Sequence, residues 1–127
     1  MSERKKKVLV VDDEETNRRI LVDLFEDDYD MIQAEDGQEC IEVTKRELPD
    51  LILLDVGLPD ISGVEACRQI KSTEQLKHIP IFLVSGYISN IDIRIGLEAG
   101  AERYFTKPFD HDELESVIAE TLSKQNS

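Results

Sequence analysis

Three short runs of consecutive apolar residues lie along the chain, at residues 8–11, 51–54 and 81–84. A strand with one face in water alternates apolar and polar side chains, whereas a strand buried on both faces is apolar throughout. The three runs therefore predict strands in the interior of a parallel sheet. Two more polar segments, residues 30–34 and 102–105, predict strands at the edges of that sheet.

Helix-start signals follow the second, third and fifth predicted strands. Asp36, Ser62 and Asp110 each stand three residues before a Glu, a spacing typical of side chains that cap helix N-termini. Strands and helices then alternate five times, which favours right-handed crossovers and helices on both faces of one sheet. We predict a single α/β domain over residues 1–127, with a folded core at about residues 6–123.

The first helix is predicted over residues 15–26. Four of its apolar residues have a spacing suited to one buried face: Ile20, Leu21, Leu24 and Phe25. Gly100 follows the fourth helical segment, in the place where a C-terminal glycine is typical.

The composition excludes several classes of protein. No stretch approaches the ~20 apolar residues of a membrane-spanning helix, and the N-terminal lysines precede too few apolar residues for a secretory signal. The two cysteines, Cys40 and Cys67, are predicted to be reduced core residues of a cytoplasmic protein. The net charge of -13 repels nucleic acid and anionic membranes, so we expect no direct contact with either.

Polar residues follow the predicted strands. Asp12 and Asp13 follow the first strand, Asp55 the third, Ser85 the fourth and Lys107 the fifth. In an open parallel sheet, ligands bind outside the carboxyl ends of the strands. If the strands lie in the order 2-1-3-4-5, these side chains converge at one edge of the sheet.

Such a group of side chains is suited to phosphoryl transfer. Converging carboxylates repel one another unless a cation joins them, and Mg²⁺ prefers oxygen ligands. Lys107 adds a positive charge and Ser85 a hydroxyl, which match a reaction that depends on positioning and charge neutralisation. Asp55 follows the most central predicted strand and is the candidate nucleophile, which would form an aspartyl phosphate.

In this order and spacing, the motifs resemble the receiver domain of two-component response regulators over essentially the whole chain. The segments that carry the resemblance are residues 10–13 (VVDD), 53–59 (LLDVGLP), 85–86 (SG), 97–101 (LEAGA) and 104–108 (YFTKP). The resemblance implies a doubly wound, flavodoxin-like sheet of five parallel strands in the order 2-1-3-4-5. It also implies a cytoplasmic signalling switch controlled by phosphorylation, within a phosphorelay.

The resemblance further implies roles for the site residues. Asp55 would accept a phosphoryl group from a phosphohistidine on a sensor histidine kinase or a phosphotransfer protein. Asp13 would ligate Mg²⁺ (or Mn²⁺) directly, Asp12 through water and Gly57 through its backbone carbonyl, and Asp55 would also belong to the metal site. Lys107 would pair with the phosphoryl oxygens.

A switch is implied at the same edge. Ser85 would hydrogen-bond to the phosphoryl group, and the ring of Tyr104 would turn inward when Ser85 moves. The Lys107–Pro108 peptide bond is expected to be cis. The signal would reach the face formed by helix 4, strand 5 and helix 5, which would bind an output domain or a second copy of the chain.

The fourth helix is predicted to contribute to that face. The resemblance places Ile93 and Leu97 toward the sheet and Ile91 and Ile95 outward. Two outward isoleucines beside Tyr104 favour a partner surface made of Ile91, Ile95 and Tyr104.

Two glycines depart from common usage in the family. Gly57 stands where a longer side chain is usual and leaves the site more open beside Asp55. Gly86 replaces a small residue such as Ala and is followed by Tyr87. We hypothesise that Tyr87 shields the acyl phosphate from water.

Other function classes remain as alternatives. A phosphatase with an aspartate nucleophile needs a second Asp at position 57, which is Gly57. A nucleotide or flavin carrier lacks a glycine-rich loop after the first strand, where Asp12 and Asp13 would repel phosphates. The chain is expected not to be an enzyme with a separate substrate. It can also be a fragment of a larger regulator or hybrid histidine kinase, or a degenerate receiver that acts as an interaction module.

Overall fold

Strands and helices alternate along the chain, as the hydrophobic pattern predicts. The computed structural model describes residues 5–86 and 90–125. In chain order the elements are β1 (Lys7–Val11), α1 (Glu15–Phe25), β2 (Asp30–Ala34), α2 (Gly37–Glu47), β3 (Leu51–Asp55), α3 (Gly63–Lys71), β4 (Ile81–Ser85), α4 (Asn90–Glu98), β5 (Arg103–Thr106) and α5 (His111–Lys124).

The strands form one parallel sheet in the order β2-β1-β3-β4-β5. The three continuous apolar runs occupy its interior, and every residue of β3 and β4 is buried. The more polar β2 and β5 lie at the two edges, where fewer of their side chains are buried. The predicted fold class, strand order and edge strands are confirmed.

The two faces of the sheet carry separate apolar cores, because successive side chains of a strand point to opposite faces. On one face, the strand residues Leu9, Ile52 and Leu83 pack in a core to which α2, α3 and Ala99, just after α4, contribute. On the other face, Val10 and Leu53 pack in a core to which α1 and α5 contribute. The sheet is therefore covered by helices on both sides.

The predicted helix caps are present. The side chains of Asp36, Ser62 and Asp110 each accept a hydrogen bond from the backbone N–H three residues on, at 2.8, 3.1 and 3.1 Å respectively. Gly100 has a φ of 110°, a conformation that favours glycine after a helix end. These local signals set where the helices begin and where α4 ends.

Strand β5 begins one residue later than predicted. Glu102 precedes it, and its carboxylate accepts a hydrogen bond from the backbone N–H of Ile81 at 2.8 Å. The other oxygen of Glu102 lies 3.0 Å from Nζ of Lys71. Glu102 therefore joins β4 to the end of α3 through its side chain.

The predicted buried face of α1 is partly wrong. Leu21 and Phe25 are buried as expected, but Ile20 is 44% exposed. Arg18 is buried instead, because it lies three residues before Leu21 and seven before Phe25 and so shares their side of the helix. Ile20 lies at the border of that face.

The predicted orientation of α4 is also partly wrong. Leu97 was expected to face the sheet but is 45% exposed, whereas Gly96 and Ala99 are buried there. A Cβ added at Gly96 would lie only 2.8 Å from Cδ1 of Leu83, so the glycine allows the helix to pack closely. Ile95 is 41% exposed, as predicted, and Ile93 is half-buried.

Some of the predictions for this region lie outside the described residues. They concern Tyr87 and the side chain of Ile91. Across the described residues, no helix has the length and apolar character needed to cross a membrane.

Both cysteines are free and fully buried in the core beside α2 and α3, as predicted. Burial raises the pKa of the Cys40 thiol to about 12 and that of Cys67 to about 11. Both thiols therefore stay protonated at neutral pH, so we assign them a packing role.

Candidate functional site

Three carboxylates meet at the carboxyl edge of the sheet. Asp12 follows β1 directly, Asp55 is the last residue of the neighbouring β3, and Asp13 lies beside Asp12. One oxygen from each of the three lies within 4.8 Å of the others. Asp12 is 4% and Asp55 8% exposed, while Asp13 is open to solvent. Two acids of the cluster are therefore buried and the third is exposed to solvent.

Lys107 brings a positive charge to this cluster from the loop after β5. Its Nζ lies 3.3 Å from Oδ2 of Asp12 and 3.6 Å from Oδ2 of Asp55. The backbone N–H of Lys107 donates to the carbonyl of Ser85 at 2.7 Å, which ties the loop to the end of β4. The Lys107–Pro108 peptide bond is cis, as the resemblance implied.

The electrostatics of the site show an excess of negative charge. Burial raises the pKa of the Asp55 carboxyl above its ordinary value, opposed by Lys107 and reinforced by Asp12. Burial acts to lower the pKa of Lys107, but the attraction of Asp55 and Asp12 outweighs it and raises that pKa. One lysine therefore does not neutralise three carboxylates.

The composition of the cluster fits a hard divalent cation. The three carboxylates supply only oxygen ligands, and two of them are already held out of bulk water. Mg²⁺ and Mn²⁺ prefer such oxygen ligands. The described residues can therefore hold a metal ion at this edge of the sheet.

The backbone of Asp12 is held in place by Arg18, a residue that sequence reasoning missed. Nη1 of Arg18 donates to the carbonyl of Asp12 at 2.8 Å, and its Nε donates to Oε1 of Gln33 at 3.1 Å. Oδ1 of Asp12 also accepts the backbone N–H of Glu14 at 2.9 Å. A charged residue on the apolar stripe with Leu21 was the available signal, because buried arginines need partners.

The loop after β3 places a backbone donor beside Asp55. The N–H of Gly57 lies 3.4 Å from Oδ1 of Asp55, a long hydrogen bond. A Cβ added at Gly57 would meet nothing within 4 Å. The space next to Asp55 is therefore open, as the missing side chain at position 57 predicted.

Gly63 is a second residue that sequence reasoning missed. It begins α3 directly against the end of β3, and its N–H donates to the carbonyl of Val56 at 2.9 Å. A Cβ added at Gly63 would collide with the carbonyl oxygen of Asp55. Its place just after the capping Ser62 was the only signal, and that signal does not reveal a close approach.

Ser85 and Tyr104, the two predicted switch residues, lie in the neighbouring strands β4 and β5. Ser85 is the last residue of β4, is 1% exposed, and pairs with Thr106 of β5. Tyr104 pairs with Leu83 and packs, half-buried, against the core beneath α4. A Cβ at Gly96 would lie 3.0 Å from Cδ2 of Tyr104, so the ring lies directly under α4.

Comparison with known proteins gives a consistent result. The family model described as response regulator receiver domain matches residues 8–119. The alkaline phosphatase synthesis transcriptional regulatory protein PhoP of Bacillus subtilis (strain 168) is 40% identical over 120 residues, which cover 94% of this chain and 49% of that protein. The chain spans about half the length of the curated relatives it matches.

Solved structures resemble the whole sheet and its helices. The chemotaxis protein CheY4 of Vibrio cholerae matches with a TM-score of 0.86 and 27% identity, over 92% of this chain and 98% of that one. A CheY-like response regulator receiver domain protein of Methanospirillum hungatei JF-1 matches with a TM-score of 0.89 and 28% identity, over 96% and 97%. Both sequence and structure therefore point to one family.

Proposed function

The chain belongs to the response regulator receiver domain family of two-component signalling, and we propose that Asp55 is its phosphoacceptor. The observation that carries this proposal is the meeting of three carboxylates and Lys107 at the end of the central strand. Within that cluster, Asp55 is both buried and next to open space at Gly57. Asp12 is more deeply buried and is engaged by Glu14 and Lys107, while Asp13 lies at the surface.

In the reaction we propose, an oxygen of Asp55 attacks the phosphorus of a phosphohistidine. The P–O bond forms as the P–N bond breaks, and the electron pair of the P–N bond returns to the imidazole nitrogen. Lys107 is close enough to Asp55 to meet the phosphoryl oxygens as charge develops on them. The step needs no separate turnover substrate, so the chain acts as a phosphoacceptor and not as a conventional enzyme.

The metal ligands we propose are Asp12, Asp13 and Asp55, with the backbone carbonyl of Gly57. Mg²⁺ (or Mn²⁺) bound there would offset the charge of the carboxylates and of the incoming phosphate. The proposal is supported by the close approach of the three carboxylates and by the raised pKa of Asp55. Asp12 is also held rigid by Arg18, which suits a ligand that must keep its place.

We assign the switch to Ser85 and Tyr104. Ser85 ends β4 beside the site and pairs with Thr106 of β5. Tyr104 lies two residues before Thr106 on β5, and its ring lies under α4. A phosphoryl group that draws in Ser85 would open space toward Tyr104 and shift the population between two arrangements of α4. The output face would include Tyr104, Ile91 and Ile95, of which Ile95 is exposed.

The partners follow from the same chemistry. The donor we propose is a sensor histidine kinase or a phosphotransfer protein, and we propose that the exchange takes place in the cytoplasm. Because the chain spans about half of its curated relatives, we infer that the output is made by a further domain or a partner protein. With a net charge of -13, direct contact with DNA would fall to that domain or partner.

The test of the phosphoacceptor is chemical labelling with acetyl phosphate and Mg²⁺. We expect a phosphoprotein that is stable in acid and labile in base, and complete loss of that label in Asp55→Asn. The matched control is Asp23→Asn, an exposed acid on α1, which should label like the parent. Asp60 is unsuitable as a control because its carboxylate holds the backbone N–H groups of Gly37 and Gln38 at the start of α2. Labelling that survives in Asp55→Asn would overturn the assignment.

A further inference from the structure

A cavity of about 380 Å³ adjoins the carboxylate cluster between α1 and the loop that precedes α5. Asp12, Asp55 and Lys107 are among the residues that line it. Its volume lies at the lower end of the ~300–1,000 Å³ typical of small-molecule sites. A phosphoryl group on Asp55 alone would leave much of that volume vacant.

Most of the remaining lining is apolar, although Asn17 and His111 also line the cavity. Val10, Leu53 and Val84 line it from three adjacent strands, and all three point to the face of the sheet that α1 and α5 cover. Asp55 comes two residues after Leu53 on the same strand, so its side chain lies on the same face. Asp55 therefore borders the apolar part of the cavity.

Two larger apolar side chains contribute to the same wall. Ile20 of α1 lines the cavity and is 44% exposed, so part of its apolar surface is not covered by the core. Phe109 lines it from the loop, and its ring contacts that of His111 with centroids 5.6 Å apart. A small apolar group bound against these two side chains would be buried from water, which is favourable.

We propose that this cavity receives the acyl group of small acyl phosphate donors and makes the chain prefer aromatic acyl phosphates to acetyl phosphate. This inference rests on the proposed role of Asp55 as phosphoacceptor. An acyl phosphate has two parts, an anionic phosphoryl group and an acyl group. The phosphoryl group suits Lys107 and the metal site, and an aromatic acyl group suits the wall of Ile20 and Phe109.

The chemistry of the step balances without an added reactant. An Asp55 oxygen forms a bond to phosphorus while the bond between phosphorus and the acyl carboxylate oxygen breaks. The electron pair of the broken bond leaves with the carboxylate, so benzoyl phosphate yields phosphorylated Asp55 and benzoate. No proton has to be supplied to the leaving group, because benzoate is stable as an anion at neutral pH.

The test compares the second-order rate constants of Asp55 phosphorylation by benzoyl phosphate and by acetyl phosphate, with Mg²⁺ present. The ratio of the two constants is measured in the parent, in Ile20→Ala and in Leu97→Ala. Leu97 is a matched control, because it is 45% exposed and lies on α4, away from the cavity. The intrinsic reactivities of the two donors cancel when the ratios are compared between variants.

We expect the benzoyl-to-acetyl ratio to fall roughly tenfold in Ile20→Ala, in line with the loss of a few buried carbon atoms, and to stay unchanged in Leu97→Ala. A second measurement uses free benzoate, which should slow labelling by acetyl phosphate more than equimolar acetate does. An unchanged ratio in Ile20→Ala, or equal inhibition by benzoate and acetate, would overturn the inference while leaving Asp55 as phosphoacceptor. Absence of labelling by both donors would overturn the proposed function itself.

Discussion

At the scale of single residues, Asp55 is held in a state that costs stability. Its carboxyl is buried, lies near two other carboxylates, and is only partly compensated by Lys107 at 3.6 Å. Burial, reinforced by the two other carboxylates, outweighs the effect of Lys107 and raises the pKa of Asp55, so its ionised form is disfavoured in the folded chain. Ionisable groups whose charged form is destabilised by the fold are common in functional sites, where their position serves chemistry and not stability.

Removing the charge of Asp55 should therefore stabilise the metal-free chain at neutral pH. A raised folded-state pKa favours folding below the unfolded pKa, and that advantage is lost as the pH rises through the folded value. We expect Asp55→Asn to unfold at higher urea concentration than the parent at neutral pH in EDTA. The difference should shrink as the pH falls and Asp55 becomes protonated.

The control for this measurement is Asp23→Asn, which removes an exposed charge from α1. It should shift the urea midpoint little at any pH. A lower midpoint for Asp55→Asn than for the parent at neutral pH would contradict the expectation.

At the scale of the elements, the site depends on how closely α3 approaches the end of β3. Gly63 makes this approach possible, because a side chain there would meet the backbone of Asp55 and Val56. The N–H of Gly63 also donates to the carbonyl of Val56 at 2.9 Å. The position of Asp55 is thus tied to the first residue of the following helix.

We expect Gly63→Ala to destabilise the chain by about 1–3 kcal/mol. The added Cβ would clash with backbone atoms, which cannot move aside as the end of a flexible side chain can. Gly86→Ala is the matched control, since a Cβ there would meet nothing within 4 Å. Chemical denaturation of both variants measures the effect. Equal stability of the two variants would show that α3 can move away from β3 at little cost.

The outer surface of α4 offers a second prediction at this scale. Ile95 is exposed on the helix that packs over Tyr104, where a partner would sense movement of the ring. We expect phosphorylation with acetyl phosphate to promote self-association of the chain, measured by sedimentation, and Ile95→Glu to abolish the increase. Leu97→Glu changes an equally exposed residue on the opposite flank of α4 and should retain it. Association that persists in Ile95→Glu would exclude this face.

At the scale of the whole molecule, the net charge of -13 has two components. Most acidic side chains are spread over helix surfaces and caps, whereas Asp12, Asp13 and Asp55 are gathered in one place. Monovalent salt screens the dispersed charges, but only a bound cation can offset the gathered ones. The two components should therefore respond differently to ions.

We expect Mg²⁺ to raise the melting temperature more than NaCl at the same ionic strength. Ligand binding at a hundredfold excess over Kd adds about 2.7 kcal/mol to stability. In Asp13→Asn the response to NaCl should remain and the additional response to Mg²⁺ should weaken. Identical responses to the two salts in the parent would argue against a divalent site.

Much of the fold followed from local pattern. The apolar runs at β1, β3 and β4 predicted interior strands because a strand covered on both faces has no polar side. Asp36, Ser62 and Asp110 predicted helix starts because a capping side chain acts on its own backbone three residues away. Asp12, Asp13 and Asp55 could be grouped because the ends of parallel strands share one edge.

The sequence by itself determined the order of elements, the class of the sheet and the acids at its carboxyl edge, since these depend on period and on neighbours in the chain. Only the tertiary structure decided which side of a helix faces the core. Ile20 and Leu97 are exposed, and Arg18 is buried with its guanidinium on the carbonyl of Asp12. It also decided the close approach at Gly63 and the cavity beside Asp55. These features arise between residues that are distant in the chain, where packing in three dimensions outweighs any local preference.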